Sequence, residues 1–354
     1  MENLLDRLST GLSADLRALS LTGPRARGAL RTSLAVVLAT LVALALHLDN
    51  PWWAAITGVV LIQGDRTATL ARSIDRVIGT TIGAVIGYLA AATIADHLLF
   101  LAVSAGCTGF VIYAQERAEH SYAFLLGGIT IVLILFGSLA EPGAALHLAI
   151  YRALEIYVGV IVACAVDFAL AEAAAAASAA PKPGIWTRPI DRELASIAVT
   201  GGIAIALIPL IWETLQLPGL GQTPITAFVI LTAMRQEPVW RALTRAAGCF
   251  LGGVYGLTAM HLVGDAFVPW VVTLFAGLYL FAHITHGKSD ASYVGLQAGI
   301  AIVVAMIQGQ GPSADLAPAL NRLVGVFGGV LVVSICQPLL APLVRRVIDP
   351  RQQA

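Results

Sequence analysis

Apolar residues run along this chain in long blocks separated by short polar breaks. Six blocks fall in the first half, at 32–48, 51–64, 77–95, 98–114, 121–140 and 146–170. Six more fall in the second, at 193–211, 223–234, 246–263, 267–285, 291–308 and 319–341. Most approach the ~20 residues that an α-helix needs to cross a bilayer. The second block of each set does not. The thirteen residues Pro51 to Gln63 cover roughly 20 Å at the helical rise, against a hydrocarbon core of roughly 30 Å, so a half-length, tilted or sheltered helix is expected there and again at Thr223 to Met234. The pattern predicts an all-α integral membrane protein of about 12 transmembrane helices.

The blocks repeat. Arg66, Arg72, Arg76, Gly79, Gly83 and Gly87 reappear as Arg235, Arg241, Arg245, Gly248, Gly252 and Gly256, each shifted by 169 positions without a gap. Ser121, Tyr122, Gly128 and Ile129 match Ser292, Tyr293, Gly299 and Ile300 at a shift of 171, and Arg152 with Gly159 matches Arg322 with Gly329 at 170. Self-matching at a fixed period is the mark of a duplicated unit. Six spans per copy is an even number, so both copies enter from the same side, as two parallel six-helix repeats. Glycines four apart share one helix face, where a neighbouring helix can come close in lipid. The arginines ahead of them belong in the headgroup layer.

Ahead of the first block, residues 1–31 carry Leu4, Leu8, Leu12, Leu16 and Leu19 at helical spacing with Arg7, Asp15 and Arg17 between them. That is an amphipathic helix, lying on the membrane surface or packed on the protein's own cytoplasmic face. No signal-peptide pattern is present. Residues 171–192, which open Ala-rich and pass through Pro181-Lys182-Pro183-Gly184, link repeat 32–170 to repeat 193–341, and 342–354 form a tail.

Composition agrees with the blocks: 58% of residues are hydrophobic and 12% charged, against roughly 25% charged in globular proteins. A formal net charge of zero gives no case for a nucleic-acid partner. Placement says more. With a cytoplasmic N-terminus, nineteen of the twenty-one basic residues fall in cytoplasmic breaks, and the opposite breaks hold acids such as Asp49, Asp96, Glu141 and Asp265. The positive-inside rule therefore puts both termini in the cytoplasm. Arginine outnumbers lysine 19 to 2, which points to a GC-rich bacterial gene. The four cysteines stand singly in apolar segments, as packing thiols do, and neither they nor the dispersed histidines have metal-ligand spacing. No cofactor, metal or enzymatic motif such as HExxH or GxSxG appears.

The two basic residues left over are Arg152 and Arg322, at equivalent places near the outer starts of the sixth and twelfth blocks. A charge in hydrocarbon is costly and usually faces a cavity or a partner. The pair suits an organic anion's carboxylate, for which a guanidinium fork is well shaped; each could equally snorkel or be salt-bridged, Arg152 to Glu155 one turn away. Glu155 matches Gly325 and Asp167 matches Gln337, so a proton-binding carboxylate exists once per chain. Glu155 and Asp167 are the candidates for coupling to protons, unless Glu155 merely neutralises Arg152. Tyr122 and Tyr293 are candidates to stack on an aromatic substrate, or simply interfacial anchors.

Pro51-Trp52-Trp53-Ala54 in the second block, the polar stretch with Arg66 and Arg72, and Arg76-Val77-Ile78-Gly79-Thr80-Thr81-Ile82-Gly83 opening the third resemble the fusaric acid resistance proteins and aromatic acid exporters of bacteria. The resemblance covers both halves, the second less closely. It implies a bacterial inner-membrane transporter that exports small aromatic or other organic acids, driven by protons. Larger exporters of this kind carry substantial cytoplasmic domains after each bundle, where this chain has only the linker and the tail. An organic-anion channel and a membrane structural or assembly subunit are the alternatives. The partners expected are the bilayer, a small organic anion, and a second copy of the chain or a periplasmic adaptor.

Overall fold

Each of the twelve apolar blocks is a helix. The computed structural model describes residues 2–62, 66–94, 96–141, 143–170, 189–217, 223–232, 238–312 and 315–348, apart from the side chains of 2, 3, 140, 238, 318, 319 and 322. After α1 (Glu2–Arg17) the first repeat supplies α2 (Gly23–Ala45), α3 (Trp52–Leu61), α4 (Arg66–Thr93), α5 (His97–Arg117), α6 (Ser121–Ala140) and α7 (Ala145–Leu170). The second supplies α8 (Arg192–Leu215), α9 (Thr223–Leu231), α10 (Pro238–Val263), α11 (Phe267–Thr285), α12 (Ser292–Met306) and α13 (Ala317–Ile348). Among the described residues, nine of these are long and apolar enough to cross a membrane. α3 and α9 are short, as expected, and α12 at 15 residues joins them.

Three helices begin eight or more residues ahead of their apolar blocks, among them α10, which starts at Pro238 rather than 246, so that Arg241 and Arg245 are helical. α2 starts at Gly23 rather than Thr32, set off by Pro24 in its first turn, so Arg25, Arg27 and Arg31 lie on the helix and not ahead of it. α4 starts at Arg66 rather than 77, so Arg66, Arg72 and Arg76 are helical as well. A hydropathy window stops at such charges. Hydrogen bonding of the backbone does not, provided the arginines reach polar partners, and those of Arg31, Arg66 and Arg76 are described below.

By contact the chain forms two compact units, and neither is one sequence repeat. The first contains α1, α2 and α3, the later part of α7, and α10, α11 and α12; the second contains most of α4, α5 and α6, the start of α7, α8 and α9, and most of α13. Each unit thus joins the first two helices of one repeat to the fourth and fifth of the other. In the first unit α2 packs on α3 and α11, and α12 on α11 and α3; in the second α5 packs on α8 and α6, and α9 on α8 and α6. α2 and α11 run antiparallel, since Gly28 near the start of α2 meets His286 just past the end of α11. α8 and α5 do likewise, Gly202 meeting Ala105 and Arg117 donating to the Pro189 carbonyl at 2.9 Å. Antiparallel seating in both units is what repeats entering from the same side produce.

Local geometry repeats too. Among the described residues the only non-glycines with positive φ are His47 (φ 53°) and Gln216 (φ 52°), 169 positions apart. Each closes the first helix of its repeat in a left-handed turn, with Leu48 N–H donating to Ala43 O at 3.0 Å and Leu217 N–H to Trp212 O at 3.1 Å. The repeated glycines make close helix contacts. In the second unit Gly79, Gly83 and Gly87 of α4 lie against Ala123, Gly127 and Ile131 of α6; in the first, Gly248, Gly252 and Gly256 of α10 lie against Val294, Ala298 and Ile302 of α12. A Cβ on Gly83 would stand 2.5 Å from the Gly127 carbonyl oxygen, and one on Gly252 2.2 Å from that of Ala298. Gly159 of α7 and Gly329 of α13 likewise lie against the short helices α3 and α9.

The amphipathic α1 packs on the protein itself. Arg7 Nε donates to Asp290 at 2.8 Å, and Gly11 sits against Ala291 and Ser289 of the α11–α12 turn.

The seams set a test by substitution. Gly83→Ala and Gly252→Ala should each destabilise the protein by about 1–3 kcal/mol through overpacking against backbone that cannot yield. Gly106→Ala on α5, where an added Cβ meets nothing within 4 Å, should be neutral or stabilising by up to about 1 kcal/mol. Thermal unfolding of the three proteins in detergent checks the ranking.

Candidate functional site

Ionisable side chains inside helices this apolar mark the candidate site, because burying a charge without a partner is prohibitively costly. α7 buries three: Arg152 at 6% exposure, Glu155 at 1% and Asp167 at 1%. Arg152 and Glu155 are three residues apart, so both lie on one face of the helix near its start. Glu155 Oε1 accepts from the backbone N–H of Asn50 at 2.7 Å, just before α3 begins, and Asn50 Oδ1 in turn accepts from Trp52 Nε1 at 3.2 Å. One turn further along α7, the missing side chain of Gly159 admits Ala54 and Thr57 of α3. A single buried carboxylate is thus held against the start of a helix too short to span the bilayer. Nearby in the same unit, Gln310 Nε2 donates to Leu48 O and Trp270 Nε1 to Met306 O, both at 2.8 Å.

Arg322 lies on α13, and its side chain is outside the described residues. Arg235 and the stretch Met234 to Glu237, like Gln63 to Asp65, also fall outside them.

Asp167 belongs to a different place. Twelve residues separate it from Glu155 along α7, roughly 18 Å at the helical rise, and its carboxylate is ion-paired with Arg31 of α2, itself 7% exposed. The two acids considered for proton coupling therefore form separate sites. Arg31 carried no signal of its own in the sequence beyond the charge bias of its flank. Asp167 did, as an acid in an apolar run that requires a cation.

The substrate candidates are separated as well. In the second unit Gly137 of α6 faces Leu148 of α7, which sets Arg152 level with about residue 133 and Tyr122 roughly 16 Å away along α6. One small acid cannot touch both. Tyr122 is occupied instead by the motif arginine: Arg76 Nη1 donates to its hydroxyl at 2.8 Å. In the other repeat the Arg241 guanidinium lies 4.7 Å from the Tyr293 ring centre, and Arg245 Nη1 donates to Gln297 Oε1 at 2.8 Å. Arg66 Nη2 donates to the Phe168 carbonyl at 2.7 Å, in the last turn of α7. These four motif arginines tie helices together, and Arg72 is exposed.

The fold also gathers residues that looked dispersed. Where α2 starts in the first unit, Asp15 is ion-paired with Arg25 and accepts from the Ser289 hydroxyl, His283 Nε2 accepts from Ser20 N–H at 3.4 Å, and His286 Nε2 lies 3.0 Å from Thr32 Oγ1. Burial first, then the neighbouring Arg31, pushes the His286 pKa down to about 4. Among the described residues no three His, Cys, Asp or Glu side chains group as a metal ion would require.

Comparison with known proteins follows the same division into halves. A model of the fusaric acid resistance protein family matches residues 26–198, and a second, described as fusaric acid resistance protein-like, matches 197–336. The chain is 29% identical over 192 residues to the p-hydroxybenzoic acid efflux pump subunit AaeB of Escherichia coli O1:K1 / APEC and, to the same degree, to that of Shigella boydii serotype 18. Each match covers 51% of this chain and 28% of the relative, so the chain spans only part of the length of the proteins it matches. No solved structure matches.

Arg31→Ala strands Asp167 as a buried charge and should cost about 3–5 kcal/mol, whereas replacing both residues with apolar ones of similar volume should recover most of the loss; thermal melts of the single and double variants measure this. His286 gives a pH signature. Its folded pKa lies below the value of 6.5 for an unperturbed histidine, so the folded state favours the neutral ring. That contribution is complete above about pH 6.5 and is lost as pH falls towards 4. Melting temperature should therefore drop more steeply from pH 7 to 5 in the parent protein than in His286→Asn.

Proposed function

Because the chain belongs to the fusaric acid resistance protein family, we propose that it is a proton-driven exporter of small aromatic or other organic acids in the bacterial inner membrane. It is a multi-pass membrane protein of membrane-length helices. Its relatives' name specifies p-hydroxybenzoic acid and efflux, and a hydroxybenzoate is the first substrate to try. The observation that carries the proposal is the burial of Arg152 and Glu155, one turn apart on α7, whose remaining residues are, Asp167 apart, mainly apolar. A helix spared such groups would insert more readily, so a functional role accounts for their presence.

In this reading Arg152, with Arg322 as its copy, attracts the substrate carboxylate, and Glu155 takes up and releases the proton that drives the cycle. Glu155 exists in only one repeat, so coupling is confined to one copy while both contribute an arginine. The arginines and lysines of the breaks favour cytoplasmic termini, which orients Arg152 and Glu155 towards the periplasmic side, where a released acid must leave. The relatives are named as pump subunits, and a second copy or a periplasmic adaptor would complete the assembly here.

Efflux of p-hydroxybenzoate from loaded proteoliposomes, with and without an imposed pH gradient, tests the reading. Arg152→Ala combined with Arg322→Ala, with insertion verified, should lower the rate at least tenfold. Glu155→Gln keeps a side-chain oxygen for the Asn50 N–H but cannot cycle a proton, so residual efflux should no longer respond to the gradient. Transport by the parent that follows membrane voltage and ignores the pH gradient would identify a channel instead.

A further inference from the structure

In the second unit α4, α5 and α6 leave between them a cleft of about 460 Å³. Ile78, Ile82 and Ile86 line it along α4, Phe110 and Phe124 stand edge to face with ring centres 6.4 Å apart, and the glycine seam forms part of its wall. Asp75 and His120 border one end, with Asp75 Oδ1 2.8 Å from His120 Nδ1 and the histidine side chain 67% exposed. From Asp75 to Ile86 the cleft follows α4 for eleven residues, roughly 16 Å. A space of this volume drawn out over three helical turns is about one hydrocarbon chain wide.

The other repeat has closed the same place. Tyr255 stands where Ile86 stands, 169 positions on; its ring lies against Gly277 and packs edge to face on Phe281, and its hydroxyl donates to the Thr273 carbonyl at 2.7 Å. Gly277 and Phe281 are the counterparts of Cys107 and Val111, which line the open cleft. At the positions of Asp75 and His120 the copy has Thr244 and Ala291. Two helix triplets with the same glycine seam therefore differ both in whether the cleft is filled and in whether a polar pair borders it. Drift of a lipid-facing surface gives no reason for the two changes to go together.

We propose that this cleft binds one long-chain monocarboxylic acid from the membrane, with its hydrocarbon along the isoleucine row and its carboxyl group at His120. Asp75 engages Nδ1, which leaves Nε2 for the ligand. As a neutral ring it accepts the O–H of the undissociated acid, and as an imidazolium it donates to the carboxylate. The end is a poor seat for a phosphodiester, which cannot shed its charge: Asp75 is an acid, Glu119 is exposed next to His120, and the Arg76 guanidinium is engaged by Tyr122.

Cys107 lines the cleft and reports its occupancy. The protein in phosphatidylcholine nanodiscs is treated with N-ethylmaleimide, and alkylation of Cys107 is followed by mass spectrometry in the presence of dodecanoic acid, dodecanol, lysophosphatidylcholine or p-hydroxybenzoic acid. Dodecanoic acid should slow alkylation at least fivefold and the other three should not. His120→Ala, at an exposed position, should lose that protection while keeping its unprotected rate, and Ile86→Tyr should block the cleft as Tyr255 does in the copy. Equal protection by dodecanol or lysophosphatidylcholine would reduce the cleft to a groove for any lipid chain. Protection by p-hydroxybenzoic acid as strong as by dodecanoic acid would assign it to short acids, and protection by none would remove the site. None of these readings depends on transport.

Discussion

Backbone meeting backbone at the glycine seams is the contact on which the structure rests. Lipid offers no hydrophobic gain for bringing helices together, so association has to come from close packing and from polar groups that find one another. Gly79 and Gly83 let α4 approach the carbonyls of α6, Gly248 and Gly252 do the same between α10 and α12, and Gly87 and Gly256 continue each seam against side chains and a Cα. With those pairs drawn together, the arginines one or two turns before each glycine row reach Tyr122, Tyr293 and Gln297. Gly159 and Gly329 extend the same device to the short helices. One residue type at one spacing thus sets which helices are neighbours.

Against this repeated frame, which includes the arginines, four ionisable side chains are not repeated. Glu155, Asp167, Asp75 and His120 each occur in one copy, opposite Gly325, Gln337, Thr244 and Ala291 in the other. The duplication supplied packing twice, and the copies then diverged where ionisable groups are costly to keep. Buried acids with named partners, Asp167 with Arg31 and Glu155 with the Asn50 amide, are the form in which the membrane tolerates them.

Most of the helical layout was legible in the sequence, because a membrane helix announces itself by hydropathy over ~20 residues. The block at 121–140 is α6 residue for residue, and the block at 267–285 is α11. Where windows misjudged a start, at Gly23, Arg66 and Pro238, helical arginines with partners were the cause. The candidate site was legible only as a set of residue types. Arg31 and Asp167 lie 136 positions apart and His286 and Thr32 lie 254 apart, distances over which no spacing rule operates. Tyr122 looked free to stack on a ligand because its arginine partner, 46 residues earlier, is brought to it only by the glycine seam. The exchange of helices between repeats was equally hidden, since a period in the sequence records descent and carries no record of which copy a helix packs against.

That exchange bears on how such a protein could arise. Each compact unit needs its opening helices from one copy and its fourth and fifth from the other, so a polypeptide of half the length completes neither alone. The single-copy ancestor would have had to fold as an obligate pair of identical chains, each lending its first helices to its twin. Joining two such chains into one would remove the concentration dependence of that pairing and release the two halves from identity, which is the condition under which a carboxylate can be present in one half only.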